Sequence, residues 1–117
     1  AFEPEFIFVQ SGLDASLFDP MGRMLCHTGT YREMTRLVKE TAAELCGGRL
    51  VLCHEGGYST LYAPYCGLAI IEELSGLRSS LDSIFQDSDA ELGGQDLQPH
   101  QEKVIEEARE LLEYIPN

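Results

Sequence analysis

The sequence predicts an α/β fold built on a parallel β-sheet. Two short apolar runs, residues 5–10 and 49–54, have the composition of buried strands, and the residues between them repeat apolar side chains at helical spacing. Strand, helix and strand form the unit from which parallel sheets are built, because parallel neighbours need a long crossover connection. We therefore expect these two strands to lie side by side with a right-handed crossover.

Both strand segments are rich in aromatic and β-branched residues and are nearly continuous in their apolar character. The first follows Pro4 and ends before Gly12, and the second lies between Gly48 and Gly56. Such runs predict strands that are buried on both faces. Two strands cannot bury both of their faces alone, so we expect further strands beside them.

A helix is predicted over residues 30–46. Thr30 and Glu33 fit a capping box at its start, and Gly47 fits a left-handed cap at its end. Its apolar residues recur at spacings of three and four and so share one face: Tyr31, Met34, Leu37, Val38, Ala42 and Leu45.

A second helix is predicted after the second strand. Ser59 or Thr60 is expected to cap it, and it continues to about Leu74, before Gly76 ends it. Its apolar residues are spread around much of the helix circumference, among them Leu61, Tyr65, Leu68, Ala69 and Ile71.

The last part of the chain is predicted to be a loop followed by a helix. Residues 79–98 are rich in Ser, Asp, Gly and Gln, and Pro99 is well placed at a first helical position. The final helix carries one apolar stripe of Val104, Ile105, Ala108, Leu111, Leu112 and Ile115.

Residues 1–117 are therefore predicted to form the C-terminal part of one larger α/β domain. We divide this part into a motif-bearing βαβα region (1–76), a loop (77–98) and a C-terminal helix (99–117). The abrupt start of the sequence beside a buried strand supports this expectation. A self-sufficient domain of 117 residues is the alternative.

Composition and charge exclude several classes of partner. Lys and Arg number 8 against 20 Asp and Glu, so the formal net charge is −12, which repels nucleic-acid phosphates and anionic lipid. No apolar run is long enough to span a membrane, and the acidic start does not resemble a signal peptide. The four cysteines form no Cys-x-x-Cys pair. We expect a cytoplasmic protein with reduced thiols.

The segments that follow the two strands carry the candidate functional residues, because ligands of open parallel sheets bind beyond the carboxyl ends of the strands. Asp19, fixed by Pro20, suits a metal ligand, and an ordinary Asp-Pro turn is the alternative. Asp14 fits a turn or a supporting role. Tyr58 follows a glycine pair and is either a packed aromatic residue or a functional hydroxyl. His54 ends the second strand and is either a buried histidine or part of the site.

Several motifs in this order and at this spacing resemble those of a known family. The sequence is similar to the C-terminal third of the histone deacetylase superfamily, and most similar to the bacterial class II histone deacetylase-like amidohydrolases. The resemblance covers about residues 4–76 and rests on residues 4–9, Ser11-Gly12-Leu13-Asp14-Ala15, Asp19-Pro20-Met21-Gly22, residues 47–51, Glu55-Gly56-Gly57-Tyr58 and residues 65–74.

The resemblance implies an arginase/deacetylase-type open parallel sheet flanked by helices and a Zn²⁺-dependent amidohydrolase. It implies that Asp19 is one of three zinc ligands and that Tyr58 donates its hydroxyl to the acetyl carbonyl. It also implies that Gly56 and Gly57 leave room for the acyl-lysine stem or the acetyl group. The implied substrate is an acetylated lysine peptide or another acetylated amine. The oligomeric state is open, a homo-oligomer included.

The sequence departs from the family pattern in ways that bear on activity. The His-His pair and the Asp-x-His zinc motif of the family are absent from these 117 residues, so the chain is expected to be catalytically incomplete. Ser16 stands where many class II relatives have His, and Gln10-Ser11 replaces the more usual Ser-Ala, which bears on substrate preference. The alternative function is a non-catalytic fragment or interaction module that keeps the fold without a metal.

Overall fold

A computed structural model of the chain describes residues 2–81 and 96–115. Its elements are β1 (Ile7–Ser11), α1 (Thr28–Cys46), β2 (Leu50–His54), α2 (Ala63–Ser75) and α3 (Pro99–Glu110), followed by a short 3₁₀ helix (Leu111–Tyr114). None of the helices described is long and apolar enough to cross a membrane.

The two strands form a parallel pair, and this confirms the predicted strand order. Ile7 lies opposite Leu50, and the register continues to Ser11 opposite His54. The first strand begins two residues later and ends one residue later than predicted. Glu5 and Phe6 precede the part of the chain that pairs with β2. Because the two strands are parallel, their carboxyl ends lie at the same edge of the sheet. The helix α1 provides the connection that parallel strands need.

The start of α1 differs from the prediction. The helix begins at Thr28, and His27 is its N-cap, with His27 Nδ1 accepting the Gly29 N–H at 3.1 Å. Thr30 Oγ1 accepts the His27 N–H at 3.3 Å, so Thr30 closes the capping box from inside the helix. The predicted Thr30–Glu33 box is therefore wrong, because the imidazole takes the capping role three residues earlier. Gly47 ends the helix in a left-handed conformation, as predicted.

The face that α1 turns to the core overlaps only in part with the face that its apolar spacing indicates. Tyr31 and Ala42 are buried as expected, whereas Met34, Leu37 and Leu45 are about half exposed. The buried residues of the helix are Thr28, Tyr31, Thr35, Ala42 and Cys46. Thr35 is tolerated inside because its hydroxyl donates to the Tyr31 carbonyl at 2.7 Å.

The second helix begins later than predicted. Ser59 Oγ accepts the Tyr62 N–H at 3.2 Å, and the Ser59 carbonyl accepts the Ala63 N–H at 2.9 Å. Ser59 therefore closes the turn before α2, and the helix itself starts at Ala63. Gly76 ends it in a left-handed conformation, which confirms the prediction.

The C-terminal helix begins at Pro99, as predicted, with the Gln98 N–H donating to Gln101 Oε1 at 2.8 Å. None of its residues is buried, so the predicted apolar stripe lies exposed on the described part of the chain. Most of the predicted loop, residues 82–95, lies outside the described residues.

The core lies between the two helices and the segment that follows β1. Its buried members are Leu13, Tyr31, Tyr62, Ala63, Cys66 and Ile70, with Leu52 of β2 packed against them. The opposite face of the sheet is open, because Phe8 is 68% exposed and Phe6 and Val51 are also exposed. Burial on both faces is thus not achieved by the described residues.

Candidate active site

The segments that leave β1 and β2 are held together at the carboxyl edge of the sheet. The Leu13 N–H donates to the Gly56 carbonyl at 2.6 Å, and the Glu55 N–H donates to the Ser11 carbonyl at 3.1 Å. Ligands of open parallel sheets bind at this edge. The residues predicted to form the site therefore share one place in the fold.

The segment after β1 folds back on itself through short turns. The Asp19 N–H donates to the Ser16 carbonyl at 3.1 Å. Two further hydrogen bonds, from the Leu17 N–H to the Cys26 carbonyl and from the Cys26 N–H to the Ala15 carbonyl, tie the segment to the start of α1. These bonds fix Asp19 beside the segment that leaves β2.

The Asp19 carboxylate joins both segments. Asp19 Oδ1 accepts the N–H groups of Met21 at 2.8 Å and Gly22 at 3.2 Å, which is the local turn that an Asp-Pro pair favours. Asp19 Oδ2 accepts the N–H groups of Tyr58 at 2.6 Å and Ser59 at 3.3 Å. The turn alternative is therefore realised, and the same side chain also reaches the candidate catalytic tyrosine.

Asp19 is held as a carboxylate. The side chain is 7% exposed, and its burial raises the pKa, but hydrogen bonds from the N–H groups of Tyr58, Met21, Gly22 and Ser59 outweigh this effect. The pKa of Asp19 is lowered from its ordinary value as a result. A hard, ionised and immobilised oxygen donor is thus present at the sheet edge.

Tyr58 belongs to the site through its main chain and faces solvent with its side chain. Its N–H binds Asp19, whereas its residue surface is 58% exposed. Tyr58 lines an apolar cleft at the start of α2, together with Leu13, His54, Ala63, Pro64, Leu68 and Ile71. The cleft offers a ligand an apolar surface beside Tyr58.

The structure supplies a packing reason for the glycine pair. Gly57 has a φ of 144°, and a Cβ there would lie 2.9 Å from the Leu13 Cβ. A Cβ on Gly56 would run into the Asp14 carboxylate. The room beside both glycines is therefore filled by this chain, and their role in binding an acyl-lysine stem stays a prediction.

The described residues offer a metal one ligand and not a complete set. No three His, Cys, Asp or Glu side chains within residues 2–81 and 96–115 are grouped so that they could hold a metal ion. Zinc binds carboxylate oxygens as well as imidazole and thiolate. Asp19 fits one position of such a site by its chemistry and its ionisation.

Comparison with known proteins identifies the family. A family model described as the histone deacetylase domain matches residues 1–74. The chain belongs to the histone deacetylase family. The match covers the sheet, α1, the Asp19 segment, Tyr58 and nearly all of α2, whereas α3 lies outside it.

Named relatives of this histone deacetylase family chain come from several kingdoms. It is 51% identical to a histone deacetylase-like amidohydrolase of Pseudomonas aeruginosa over 86 residues, which cover 74% of this chain and 23% of that protein. It is 38% identical over 71 residues to histone deacetylase 8 of Arabidopsis thaliana, covering 61% of this chain and 19% of that protein. The chain thus spans less than a quarter of the length of these two relatives.

A solved structure confirms the deacetylase-type fold. The chain matches the crystal structure of the HDA15 HD domain with a TM-score of 0.54 and 28% sequence identity, covering 75% of this chain and 24% of that one. The prediction of an α/β, arginase/deacetylase-type sheet flanked by helices is confirmed in this comparison.

Sequence reasoning missed one residue that supports the site of this deacetylase family chain. Tyr62 is fully buried, and its hydroxyl accepts the Thr28 N–H at 3.3 Å. Its ring contacts Phe18 edge-on at 5.0 Å, directly before Asp19. Because the sequence predicts that α2 starts at Ser59 or Thr60, Tyr62 was assigned to the helix and not to the turn before it. A predicted turn at Ser59 would have indicated that the residue after the turn anchors the segment.

Ser59 and Ser16 are two further positions that the structure clarifies. Ser59 was predicted only as a cap, yet its N–H also binds Asp19. Ser16, which stands where many class II relatives have His, is 1% exposed and lies beneath the Asp19 segment. Its bearing on substrate preference stays a prediction.

Proposed function

We propose that this chain forms the C-terminal part of the catalytic domain of a zinc-dependent deacetylase. The proposed reaction is hydrolysis of the amide in an acetylated lysine peptide or another acetylated amine. The observation that carries the proposal is the hydrogen bond from the Tyr58 N–H to Asp19 Oδ2 at 2.6 Å, which places a tyrosine beside an ionised carboxylate at the sheet edge. Membership of the histone deacetylase family supports the same chemistry.

Asp19 would hold the zinc ion as one of its ligands, and the other ligands would be supplied by residues outside the described part of this chain. Zinc, when bound, supplies a Lewis acid that polarises the amide carbonyl and activates water. Four main-chain donors hold the Asp19 carboxylate in one conformation at the sheet edge, where it would face the metal.

Tyr58 would donate its hydroxyl to the amide oxygen as negative charge develops there. A fixed hydroxyl at a reacting carbonyl stabilises the transition state more than the ground state, because the charge on the oxygen grows along the reaction. The main-chain bond to Asp19 holds the tyrosine at the correct edge, and the 58% exposure of the residue leaves its side chain accessible to a ligand.

The charge of the chain is compatible with a substrate that carries positive charge outside its neutral acetylated amine. The formal net charge of −12 attracts cations, and the apolar cleft beside Tyr58 suits methylene groups or an acyl chain. The same charge disfavours nucleic acid and anionic membranes as partners. We also propose a cytoplasmic, bacterial enzyme, and all four cysteines are free thiols in the structure.

The competing function is an interaction module that keeps this fold without a metal. The exposed Phe6 and Phe8 favour it, because they offer an apolar face to a partner. Zinc content separates the two functions. The intact protein that contains this chain should hold one equivalent of zinc, and Asp19→Ala should remove it.

The control for this measurement is Asp96→Ala, which removes an exposed carboxylate far along the chain from the site. It should leave the zinc content unchanged. Purified intact protein with no zinc would favour the interaction module, whereas full zinc content in Asp19→Ala would remove Asp19 from the set of zinc ligands.

A further inference from the structure

Tyr62 lies at the junction of three segments that surround the candidate site. Its side chain is fully buried, and its hydroxyl accepts the N–H of Thr28, the first residue of α1, at 3.3 Å. Its ring contacts Phe18 edge-on, with the ring centroids 5.0 Å apart and an angle of 82° between the planes. Its own N–H donates to Ser59 Oγ at 3.2 Å. One buried residue therefore contacts the Asp19 segment, the start of α1 and the turn before α2.

Hydrogen bonds and short stretches of main chain form a closed path that leaves Asp19 and returns to it. We call this path the Tyr62 network, and its members in order are Asp19, Ser59, Tyr62, Thr28, Cys26 and Leu17. The Ser59 N–H donates to Asp19 Oδ2 at 3.3 Å, and the Leu17 N–H donates to the Cys26 carbonyl at 2.9 Å. The Tyr62 side chain is the member that crosses from the turn before α2 to the start of α1.

The Tyr62 network constrains Asp19 in a way that its local turn does not. Two N–H groups of its own segment hold Asp19 Oδ1. Asp19 Oδ2 is held by the N–H groups of Tyr58 and Ser59, and Ser59 is bound in turn to Tyr62. A displacement of Tyr62 would therefore be transmitted to the turn that joins Tyr58 to Asp19.

The Thr28 N–H gives the reason for a hydroxyl on the buried ring. The first N–H groups of a helix have no partner within the helix. Thr28 is 6% exposed, so water has little access to its N–H. The Tyr62 hydroxyl supplies the acceptor and so joins the start of α1 to the turn before α2.

We propose that Tyr62 is a positioning residue, which sets the geometry of Asp19 relative to Tyr58. Its hydroxyl does this through Thr28 and its ring does it through Phe18. The inference rests on the proposed deacetylase function for its catalytic consequence, whereas the network itself stands on the contacts given above. Tyr62 is fully buried and acts through the turn before α2, without touching the reacting atoms.

A double-mutant cycle in the intact protein tests the hydrogen bond between Tyr62 and Thr28. Tyr62→Phe leaves the Thr28 N–H without this acceptor and should lower the Tm by roughly 3 to 6 °C. Thr28→Pro removes the N–H itself. Proline is favoured at a first helical position, and the preceding residue, His27, already has the extended ψ of 174° that suits a following proline.

The double variant leaves neither group unpaired, so it should recover at least about half of the Tm that Tyr62→Phe loses. Losses that simply add in the double variant would overturn the hydrogen bond as a link of the network.

Kinetics and zinc affinity measure the positioning itself. Tyr62→Phe and the double variant should each lower kcat by about tenfold at saturating zinc, with KM within about twofold of wild type. Both should also weaken zinc binding by about tenfold in competition with a chelator, because Asp19 is less well held. Recovered Tm with a low kcat in the double variant is the expected result, since stability returns without the hydrogen bond. Wild-type kcat and zinc affinity in either variant would make Tyr62 purely structural and overturn the proposal.

A second break in the network provides an independent check. Ser59→Ala removes the acceptor of the Tyr62 N–H and keeps the N–H that binds Asp19. A network that is broken once is already open, so Ser59→Ala combined with Tyr62→Phe should lower kcat by about as much as either change alone. Losses that multiply to about a hundredfold would mean that the two residues act independently, which would overturn the network.

Tyr65→Phe is the matched control, because this tyrosine lies in the first turn of α2 and its hydroxyl makes no hydrogen bond among the described contacts. It should keep the wild-type Tm, kcat and zinc affinity. A loss of kcat equal to that of Tyr62→Phe would overturn the specific role of Tyr62. Wild-type protein without zinc and without turnover would instead refute the proposed function. The Tm measurements would still decide whether Tyr62 holds the network, because they need neither substrate nor metal.

Discussion

Replacement of Tyr58 by phenylalanine isolates the hydroxyl proposed to act on the substrate. The main-chain N–H that binds Asp19 at 2.6 Å remains, and the ring remains, so the fold and the Asp19 carboxylate should be preserved. Loss of one donor to a developing oxyanion lowers kcat by about 10² to 10³, or about 2.7 to 4 kcal/mol of transition-state stabilisation. Because Tyr58 is 58% exposed, little packing energy is at stake.

The assay is steady-state turnover of an acetyl-lysine peptide by the intact enzyme, with zinc content and Tm measured on the same samples. Tyr114→Phe is the matched control, since this tyrosine is 82% exposed in the short helix after α3. The control should have wild-type activity. Turnover of Tyr58→Phe within about threefold of wild type would remove the hydroxyl from the mechanism, whatever the control shows.

Contacts elsewhere in the fold give three further expected outcomes. Hydrogen bonds from Ser79 and the Arg32 guanidinium hold the pKa of Glu72 at about 2, so its stabilising effect is complete above pH 4.5 and is lost as the pH falls towards 2. Between about pH 6 and pH 3, wild-type protein should therefore lose more Tm than Glu72→Gln. Tyr62→Phe leaves the buried Thr28 N–H without this acceptor and should lower the unfolding free energy in urea by about 1 to 3 kcal/mol. The 117-residue chain purified alone should show no deacetylase turnover and no sharp thermal transition, because its described residues offer one candidate metal ligand at the site and leave one sheet face open. Cooperative unfolding together with turnover would contradict this.

The strands could be predicted from the sequence because their signal is local and strong. A run of apolar, β-branched and aromatic residues between glycines leaves few alternatives, and the helical segment between two such runs requires a parallel pair. Cap positions were harder, because the N-cap is His27, with Thr30 completing its capping box from inside the helix, and a histidine cap is uncommon. The sequence pattern did not indicate that Thr35 of α1 is buried; it enters the core because its hydroxyl donates to the Tyr31 carbonyl within the helix.

The site was also predictable only in part, because local sequence patterns do not encode contacts between distant residues. Parallel strands bring Asp19 and Tyr58 to one edge, so their proximity followed from the sequence. The partners of Asp19 did not, because two of them are main-chain groups about 40 residues away. The close approach of the Asp14 side chain to Gly56 also joins residues far apart in the sequence, and no local pattern encodes it.

Asp19 and Tyr58 differ in what they reveal about function. Asp19 binds four main-chain N–H groups, so a protein with this fold has a structural need for it even without a metal. The presence of Asp19 alone therefore distinguishes poorly between a deacetylase and an interaction module. Among the described contacts, Tyr58 serves the fold through its N–H, which phenylalanine would supply equally well. The catalytic role that we propose for Tyr58 depends on its hydroxyl, so Tyr58→Phe tests the proposed function more directly than any change at Asp19.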